Sequence, residues 1–168
     1  MKNAILFLFT LLYLSSCMET TNSSSKALTN AELIAANKRL VEYWIYEGWN
    51  NNRNMEIIDS VFAQDWHDLN PIPGTPDGIE GAKYFVDVYR KALPDIQFKI
   101  THIVAEPDWV TFRFTAEATH RDTLLGIPAT GKRITTSGIV MHKVVNGRFV
   151  ESVNEIDLLG MYQQMMGK

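Results

Sequence analysis

Three carboxylates recur near the end of the chain, in the segment ESVNEIDLLGMYQQMMG at residues 151–167. Glu151, Glu155 and Asp157 have the same parity, so a β-strand here would place all three on one face. Asp157 precedes an apolar run, and burial among apolar neighbours raises the pKa of a carboxyl group, which suits it to proton transfer near neutral pH. The alternative is that Asp157 caps a short terminal helix. The spacing supports both interpretations.

The four histidines are the next candidates for acid–base chemistry. They are His67, His102, His120 and His142, and none has the HExxH spacing of a helical zinc site, so the sequence predicts no metal centre. His120 ends a strand with apolar same-face neighbours, so it is either a core histidine or part of a pocket. His67 belongs either to a surface turn or to a pocket floor.

The remaining motifs exclude several kinds of chemistry. GIPATGKR at residues 126–133 nearly matches a phosphate-binding P-loop, but Arg133 replaces the hydroxyl residue and a strand-like segment follows. Cys17 is the only cysteine, and no Gly-x-Ser-x-Gly nucleophile motif is present. The net charge of −3 and the lack of a basic run give no reason to expect a nucleic-acid partner.

Helices are predicted in the first part of the domain. Thr29 and Glu32 form a capping box before an apolar stripe that includes Trp44, and this helix should end near Gly48. A second helix is predicted over residues 54–62. A third begins near residue 79, presents Phe85 on its apolar face, and stops before Pro94.

After Pro94 the apolar period changes from 3.6 to 2, which predicts strands over residues 98–104, 110–120, 133–145 and 148–157. A short strand is also expected over 65–70. Helices followed by an antiparallel meander predict an α+β fold, with the helices packed on one face of a curved sheet. Phe112 and Phe114 should line its apolar face.

Asn146-Gly147 is a strong signal for a two-residue hairpin turn. A regular ladder from this turn pairs His142 with Glu151, Val140 with Val153 and Thr136 with Asp157 on one face. That face would be apolar near the turn and polar further away, as expected for the wall or mouth of a cavity.

The N-terminal residues predict export. Lys2, an apolar run and Leu14-Ser15-Ser16-Cys17 follow the order of a secretory signal and resemble a bacterial lipobox. We therefore expect a signal peptide at 1–16, a lipid-bearing Cys17 with a flexible tether over 17–28, and a domain at 29–168. The protein would be an exported, membrane-anchored lipoprotein. The alternative is a plain signal peptide with an incidental cysteine.

Five segments in order resemble the SnoaL-like polyketide cyclase family, also called ester cyclases, of the nuclear transport factor 2-like superfamily. They are HDLNPIPG (67–74), GIEGAKYFVDVYRKALPDIQF (78–98), TFRFTAEATH (111–120), GIPATGKRI (126–134) and NGRFVESVNEIDLLGMYQQMMG (146–167). The resemblance implies a cone-shaped curved sheet with the N-terminal helices on its concave face and a pocket inside the cone. It also implies that the protein needs no metal or organic cofactor.

By motif position, the resemblance implies that Asp157 is the acid/base of the site, with His67 and His120 as hydrogen-bond donors to a substrate oxygen. Glu151 matches a carboxylate common in the last strand of the family and is expected to pair with His142. The wall of the pocket should include Trp44, Phe85, Phe112 and Phe114, with His142 and Glu151 beside them.

Two functions remain open at this point. The first is a cofactor-independent lyase, isomerase or hydrolase that acts on a small hydrophobic carbonyl compound or ester. The second is a non-enzymatic, membrane-tethered module that binds an apolar ligand or a protein partner. A homodimer through the sheet is a further expectation. Fold alone does not separate the two functions, whereas the position of Asp157 relative to the pocket does.

Overall fold

The fold is described from a computed structural model, which describes residues 27–168. The predicted signal peptide, Cys17 and nearly all of the tether lie outside the described residues. Within residues 27–168, none of the helices is both long enough and apolar enough to cross a membrane.

Four α-helices and five strands make up the domain. In chain order they are α1 (Asn30–Tyr43), α2 (Asn54–Val61), β1 (Phe62–Asp68), α3 (Ile79–Ala92), β2 (Gln97–Ala105), β3 (Trp109–Thr119), β4 (Arg133–Val145), β5 (Arg148–Ile156) and α4 (Leu158–Met166). A π-helix, Trp44–Asn50, continues α1 directly. The predicted order of helices and strands is confirmed.

The five strands form one curved, mixed sheet in the order β1-β5-β4-β3-β2. Strands β2 to β5 are an antiparallel meander, as predicted, but β1 joins the edge of the sheet parallel to β5. Parallel pairing requires a long crossover connection, and the chain from α3 through β4 supplies it. The α+β fold class is confirmed, and the expectation of a purely antiparallel sheet is wrong at this one edge.

The core lies between the helices and the inner face of the sheet. On β3, alternate residues are buried, including Val110, Phe112 and Phe114. Opposite them, Gly138 on β4 has no room for a side chain, because a Cβ there would lie 2.8 Å from the Phe114 ring. The glycine therefore lets a large aromatic ring cover the sheet at its centre.

The hairpin between β4 and β5 has the predicted two-residue turn, but its register differs from the prediction. Asn146 and Gly147 both have positive φ, at 51° and 73°. Val144 pairs with Phe149, yet Lys143 pairs with Glu151, so Val150 has no partner and forms a β-bulge. Every pair beyond the bulge is shifted by one residue relative to a regular ladder.

Candidate functional site: an aromatic cavity with a polar floor

A cavity with about 800 Å³ of empty space, including its open mouth, lies between the inner face of the sheet and the helices. Most of its wall is apolar, and three of the four tryptophans of the chain contribute to it. The aromatic residues of the wall are Trp44, Trp49, Phe62, Trp66, Phe85, Tyr89, Phe98, Phe112 and Phe114. A ligand in this cavity would exchange water for flat apolar surfaces, which favours binding by the hydrophobic effect.

The end of the first helical segment shapes one side of the cavity. The i→i+5 hydrogen bonding of the π-helix brings Trp44 and Trp49 together, with their ring centroids 6.1 Å apart and nearly perpendicular. Arg90 of α3 holds this segment, because its Nη2 donates to the Trp49 carbonyl at 2.7 Å and its guanidinium lies 5.0 Å from the Trp49 ring centroid. The π-helix therefore supplies two aromatic walls in a fixed position.

The polar groups of the cavity lie on the floor formed by the sheet. Asp68 on β1 is the backbone partner of Ser152 on β5, and Ser152 is the partner of His142 on β4. The three side chains therefore form a row across three adjacent strands. Asn154 and Thr136 are the other polar residues of the wall. This concentration gives an otherwise apolar cavity one polar side.

Ser152 forms hydrogen bonds with both Trp66 and His142. Trp66 Nε1 donates to Ser152 Oγ at 2.7 Å, and Ser152 Oγ lies 2.7 Å from His142 Nδ1. Indole nitrogen can only donate, so the serine oxygen accepts from Trp66 and is free to give its own proton to Nδ1. In the tautomer in which Nδ1 accepts this proton, the single N–H of the neutral imidazole is on Nε2.

His142 is neutral and has one unused polar atom. Its ring stacks on Phe149, with centroids 3.8 Å apart, and it is 3% exposed. Burial lowers the pKa of His142 to about 3, so the imidazole is uncharged at neutral pH. Among the described residues, no protein atom pairs with its Nε2. A buried polar atom without a hydrogen-bond partner is costly, which makes Nε2 a candidate contact for a ligand.

Asp68 is the carboxylate of the cavity. It is 8% exposed, and burial raises the pKa of its carboxyl group above the ordinary value of 3.8. Its hydrogen bonds are long, 3.4 Å from Asn154 Nδ2 to each oxygen and 3.2 Å from the Asn70 amide to Oδ1. No salt bridge within residues 27–168 involves it. Asp68 is thus a buried acid with weak partners.

Five of the six residues expected in the wall do line the cavity, namely Trp44, Phe85, Phe112, Phe114 and His142. The sixth, Glu151, lies on the outer face of the sheet, where Lys143 Nζ binds its Oε1 at 2.9 Å. The expected pairing of Glu151 with His142 is wrong because the bulge at Val150 reverses the face of the residues that follow it.

The expected orientation of Asp157 is also wrong. Its side chain is exposed and does not line the cavity, and its Oδ1 accepts from the Gly160 amide at 2.8 Å as the N-cap of α4. Glu151, Glu155 and Asp157 do share one parity, but the face is the outer one. The structure therefore favours the capping interpretation of Asp157 over an acid/base role.

The two histidines expected beside Asp157 are not in the cavity wall either. His67 is exposed and pairs with Glu151 on the outer face, whereas its neighbours Trp66 and Asp68 face inward. His120 is fully buried outside the cavity, with Nδ1 3.0 Å from Thr130 Oγ1. The structure thus supports the core interpretation of His120 and the surface interpretation of His67.

The wall residues that sequence reasoning missed include Trp66 and the polar residues Asp68, Ser152 and Asn154. Trp66 and Asp68 carry a readable signal, because a strand that buries a tryptophan also buries the residue two positions later. Ser152 and Asn154 carry none, since their inward direction depends on the bulge.

Fold and cavity together define a cone-shaped α+β protein with an internal pocket. A family model described as SnoaL-like polyketide cyclase matches residues 35–165, and the chain belongs to this family. No curated protein matches it.

Solved structures agree with this assignment. A candidate polyketide cyclase from Acidithiobacillus ferrooxidans is 30% identical, with a TM-score of 0.67 over 79% of this chain and 95% of that one. TsrD from Streptomyces laurentii is 25% identical, with a TM-score of 0.70 over 78% and 95%. A candidate SnoaL-like polyketide cyclase from Jannaschia Sp. CCS1 shares the fold, with a TM-score of 0.75 over 84% and 99% at 17% identity.

Proposed function

We propose that this protein binds a small, mainly apolar molecule that carries a carbonyl or ester oxygen. The observation that carries the proposal is the unpaired Nε2 of His142 beside an aromatic cavity. The aromatic wall would hold the body of the ligand, and Nε2–H would donate to its oxygen. Membership of the SnoaL-like family points in the same direction, to a pocket protein that works without a cofactor.

Binding can be measured directly because Trp44, Trp49 and Trp66 line the cavity. We suggest 2-tetralone, a compact bicyclic ketone, and tetralin, the hydrocarbon of the same shape without the oxygen. Both should change tryptophan emission, and 2-tetralone should bind about fivefold more tightly, the effect of one hydrogen bond worth about 1 kcal/mol. No change in emission with either compound would refute the binding function.

The contribution of His142 is tested by removing its donor. His142→Phe keeps an aromatic ring against Phe149 and should abolish the preference for 2-tetralone over tetralin. His102→Phe is the matched control, since His102 is exposed on β2. If the preference survives in His142→Phe, the ligand oxygen does not bind at Nε2.

The location of this pocket is a separate proposal. The order of charged, apolar and small residues before Cys17 supports an exported protein held at a membrane by a lipid on that cysteine. The ligand would then be met outside the cytoplasm. This proposal depends on the sequence of residues 1–17 and is tested independently of the pocket.

A further inference from the structure

Asp68 has the only carboxyl group among the described residues that line the cavity, and none of those residues is a lysine or an arginine. The other ionisable groups of the wall are His142 and Tyr89. His142 is neutral, and burial raises the pKa of the Tyr89 hydroxyl group, so it keeps its proton. The one formal charge that this wall can hold near neutral pH is therefore negative.

Asp68 has no internal partner that balances this charge. No salt bridge within residues 27–168 involves it, and its hydrogen bonds are 3.4 Å from Asn154 Nδ2 and 3.2 Å from the Asn70 amide. His67 acts on it from the outer face of the sheet and lowers the pKa of Asp68 less than burial raises it. A buried carboxylate is normally paired with a cation or held by short, charge-assisted hydrogen bonds, and Asp68 has neither.

The aromatic part of the wall is suited to a positively charged ligand. The face of an aromatic ring attracts a cation, and tryptophan does so most strongly. Trp66 lies two residues before Asp68 on the same face of β1, about 7 Å away along the strand. Trp49 already holds one cation in this way, because the Arg90 guanidinium lies 5.0 Å from its ring centroid. Arg90 itself does not line the cavity.

We propose that the cavity binds an organic cation, an amine whose ammonium group pairs with Asp68 while its apolar body lies against the aromatic rings. The inference rests on the proposed function and specifies the class of ligand: a mainly apolar amine that also carries an oxygen for His142. Primary and substituted amines both qualify, because the ion pair needs only one N–H directed at the carboxylate.

The floor of the cavity separates the two polar ends of such a ligand. Neighbouring strands lie about 4.8 Å apart, so the backbones of Asp68 and His142 are separated by about 10 Å across Ser152. Ser152 has the smallest side chain of the three, and its hydroxyl group is engaged by Trp66 and His142. An apolar body can therefore lie above Ser152, with the ammonium group towards Asp68 and the oxygen towards His142.

An ammonium group would stabilise the ionised form of Asp68. Burial raises the pKa of this carboxyl group because the charged form is poorly solvated. A nearby positive charge favours the charged form, and a charge-assisted hydrogen bond is stronger than a neutral one. The cavity should therefore prefer a cation to a neutral molecule of the same shape, and a neutral molecule to an anion.

The experiment compares three tetralin derivatives that differ only in one substituent. They are 2-aminotetralin, a cation near neutral pH, 2-tetralol, which is neutral, and tetralin-2-carboxylate, an anion. Binding is measured by tryptophan emission, with free tryptophan as the control for direct quenching. The wild-type protein should bind the amine about tenfold more tightly than the alcohol, the effect of replacing a neutral hydrogen bond by a charged one, and should bind the carboxylate most weakly. An affinity for the amine no higher than for the alcohol would overturn the proposal, as would a carboxylate that binds as tightly as the amine.

Two matched variants locate the cation. Asp68→Asn keeps the shape of the side chain and should abolish the preference for the amine, while its affinity for 2-tetralol stays within a few-fold of the wild type. Asp65→Asn removes the same charge from an exposed position of the same strand and should keep the preference. If Asp68→Asn keeps the preference, or if both variants lose it equally, the cation is not bound by Asp68. Should Asp68→Asn not fold, Asp68→Ser replaces it, and the three compounds with the wild-type protein still decide the sign of the charge.

The outcomes also distinguish this inference from the binding proposal. If 2-tetralone and tetralin bind and the amine is not preferred, the ligand class is wrong and the binding function stands. If none of the compounds changes the emission, both fail. Excess tetralin should displace 2-aminotetralin from the wild-type protein, and an amine that tetralin does not displace is bound outside the cavity, which would overturn the proposal.

Discussion

Lowering the pH from 7 to 5 is expected to destabilise the protein through His142. In the unfolded chain this imidazole should titrate near its ordinary pKa of 6.5, whereas burial lowers the pKa to about 3 in the folded protein. A folded pKa below the unfolded one means that the unfolded state binds the proton more readily. The stabilisation is therefore complete above pH 6.5 and is lost as the pH falls towards 3.

The size of the effect follows from these two values. At pH 5 protonation lowers the free energy of the unfolded state by about 2 kcal/mol, while at pH 7 it contributes only about 0.2 kcal/mol. The folded state binds almost no proton on His142 at either pH, because its pKa is about 3. His142 alone should thus reduce the free energy of unfolding by about 2 kcal/mol between pH 7 and pH 5.

Urea denaturation at both pH values measures this difference. His142→Gln removes the titration and keeps an amide that can bond to Ser152, so the wild type should lose about 2 kcal/mol more than the variant between pH 7 and pH 5. Contributions from other titrating groups are common to both proteins and cancel. His102→Gln, at an exposed position, should behave like the wild type. Equal losses in the wild type and His142→Gln would refute the neutral, buried state of His142.

Three further predictions concern the hairpin, the cap and the anchor. Gly147→Ala should lower the free energy of unfolding by about 1 kcal/mol, because φ is +73° at this turn. Urea denaturation measures this change, and an unchanged free energy of unfolding would contradict the turn geometry. Asp157→Ala should lower the free energy of unfolding by about 1 kcal/mol, measured by urea denaturation, because α4 loses its cap. The variant should bind 2-tetralone as tightly as the wild type, and weaker binding would place Asp157 at the cavity. Cys17→Ala should move the full-length protein from the detergent phase to the aqueous phase, and identical partitioning of both forms would contradict lipidation.

Patterns that act over a few residues predicted most of the fold. The capping box at Thr29 forms as expected, with Glu32 bonded back to the Thr29 amide at 2.8 Å. The alternation of apolar residues in β3 correctly placed Phe112 and Phe114 on the buried face. Such signals succeed because each depends only on the local geometry of a helix or strand.

Features that depend on distant parts of the chain were not predictable in the same way. The parallel pairing of β1 with β5 joins segments more than 80 residues apart, as in the contact between Asp68 and Ser152. Nothing in the local pattern of residues 65–70 reveals which sheet edge they join. The inward face of β1 was a separate error, because the local alternation around Trp66 does indicate it: Trp66 and Asp68 lie inside, and His67 does not.

The bulge at Val150 had the largest consequence for the site. A strand alternates with a period of two, so one unpaired residue exchanges the inner and outer faces of everything after it. Without the bulge, Glu151 would face the cavity beside His142; with it, Ser152 takes that place. The parity shared by the three carboxylates was read correctly, and the face on which they lie was not.

This account of the bulge makes a prediction that can be tested by deletion. Val150 has no partner in β4, so removing it should leave the pairs on both sides intact and keep Ser152 opposite His142. Deleting Val153 from the regular part of β5 should instead turn Asn154 and the residues beyond it to the other face. The Val150 deletion is expected to fold and to bind 2-tetralone within a few-fold of the wild type, measured by tryptophan emission, whereas the Val153 deletion should lose binding. If the two deletions are equally damaging, the ladder has no bulge at Val150, and the polar floor built on Ser152 must be abandoned.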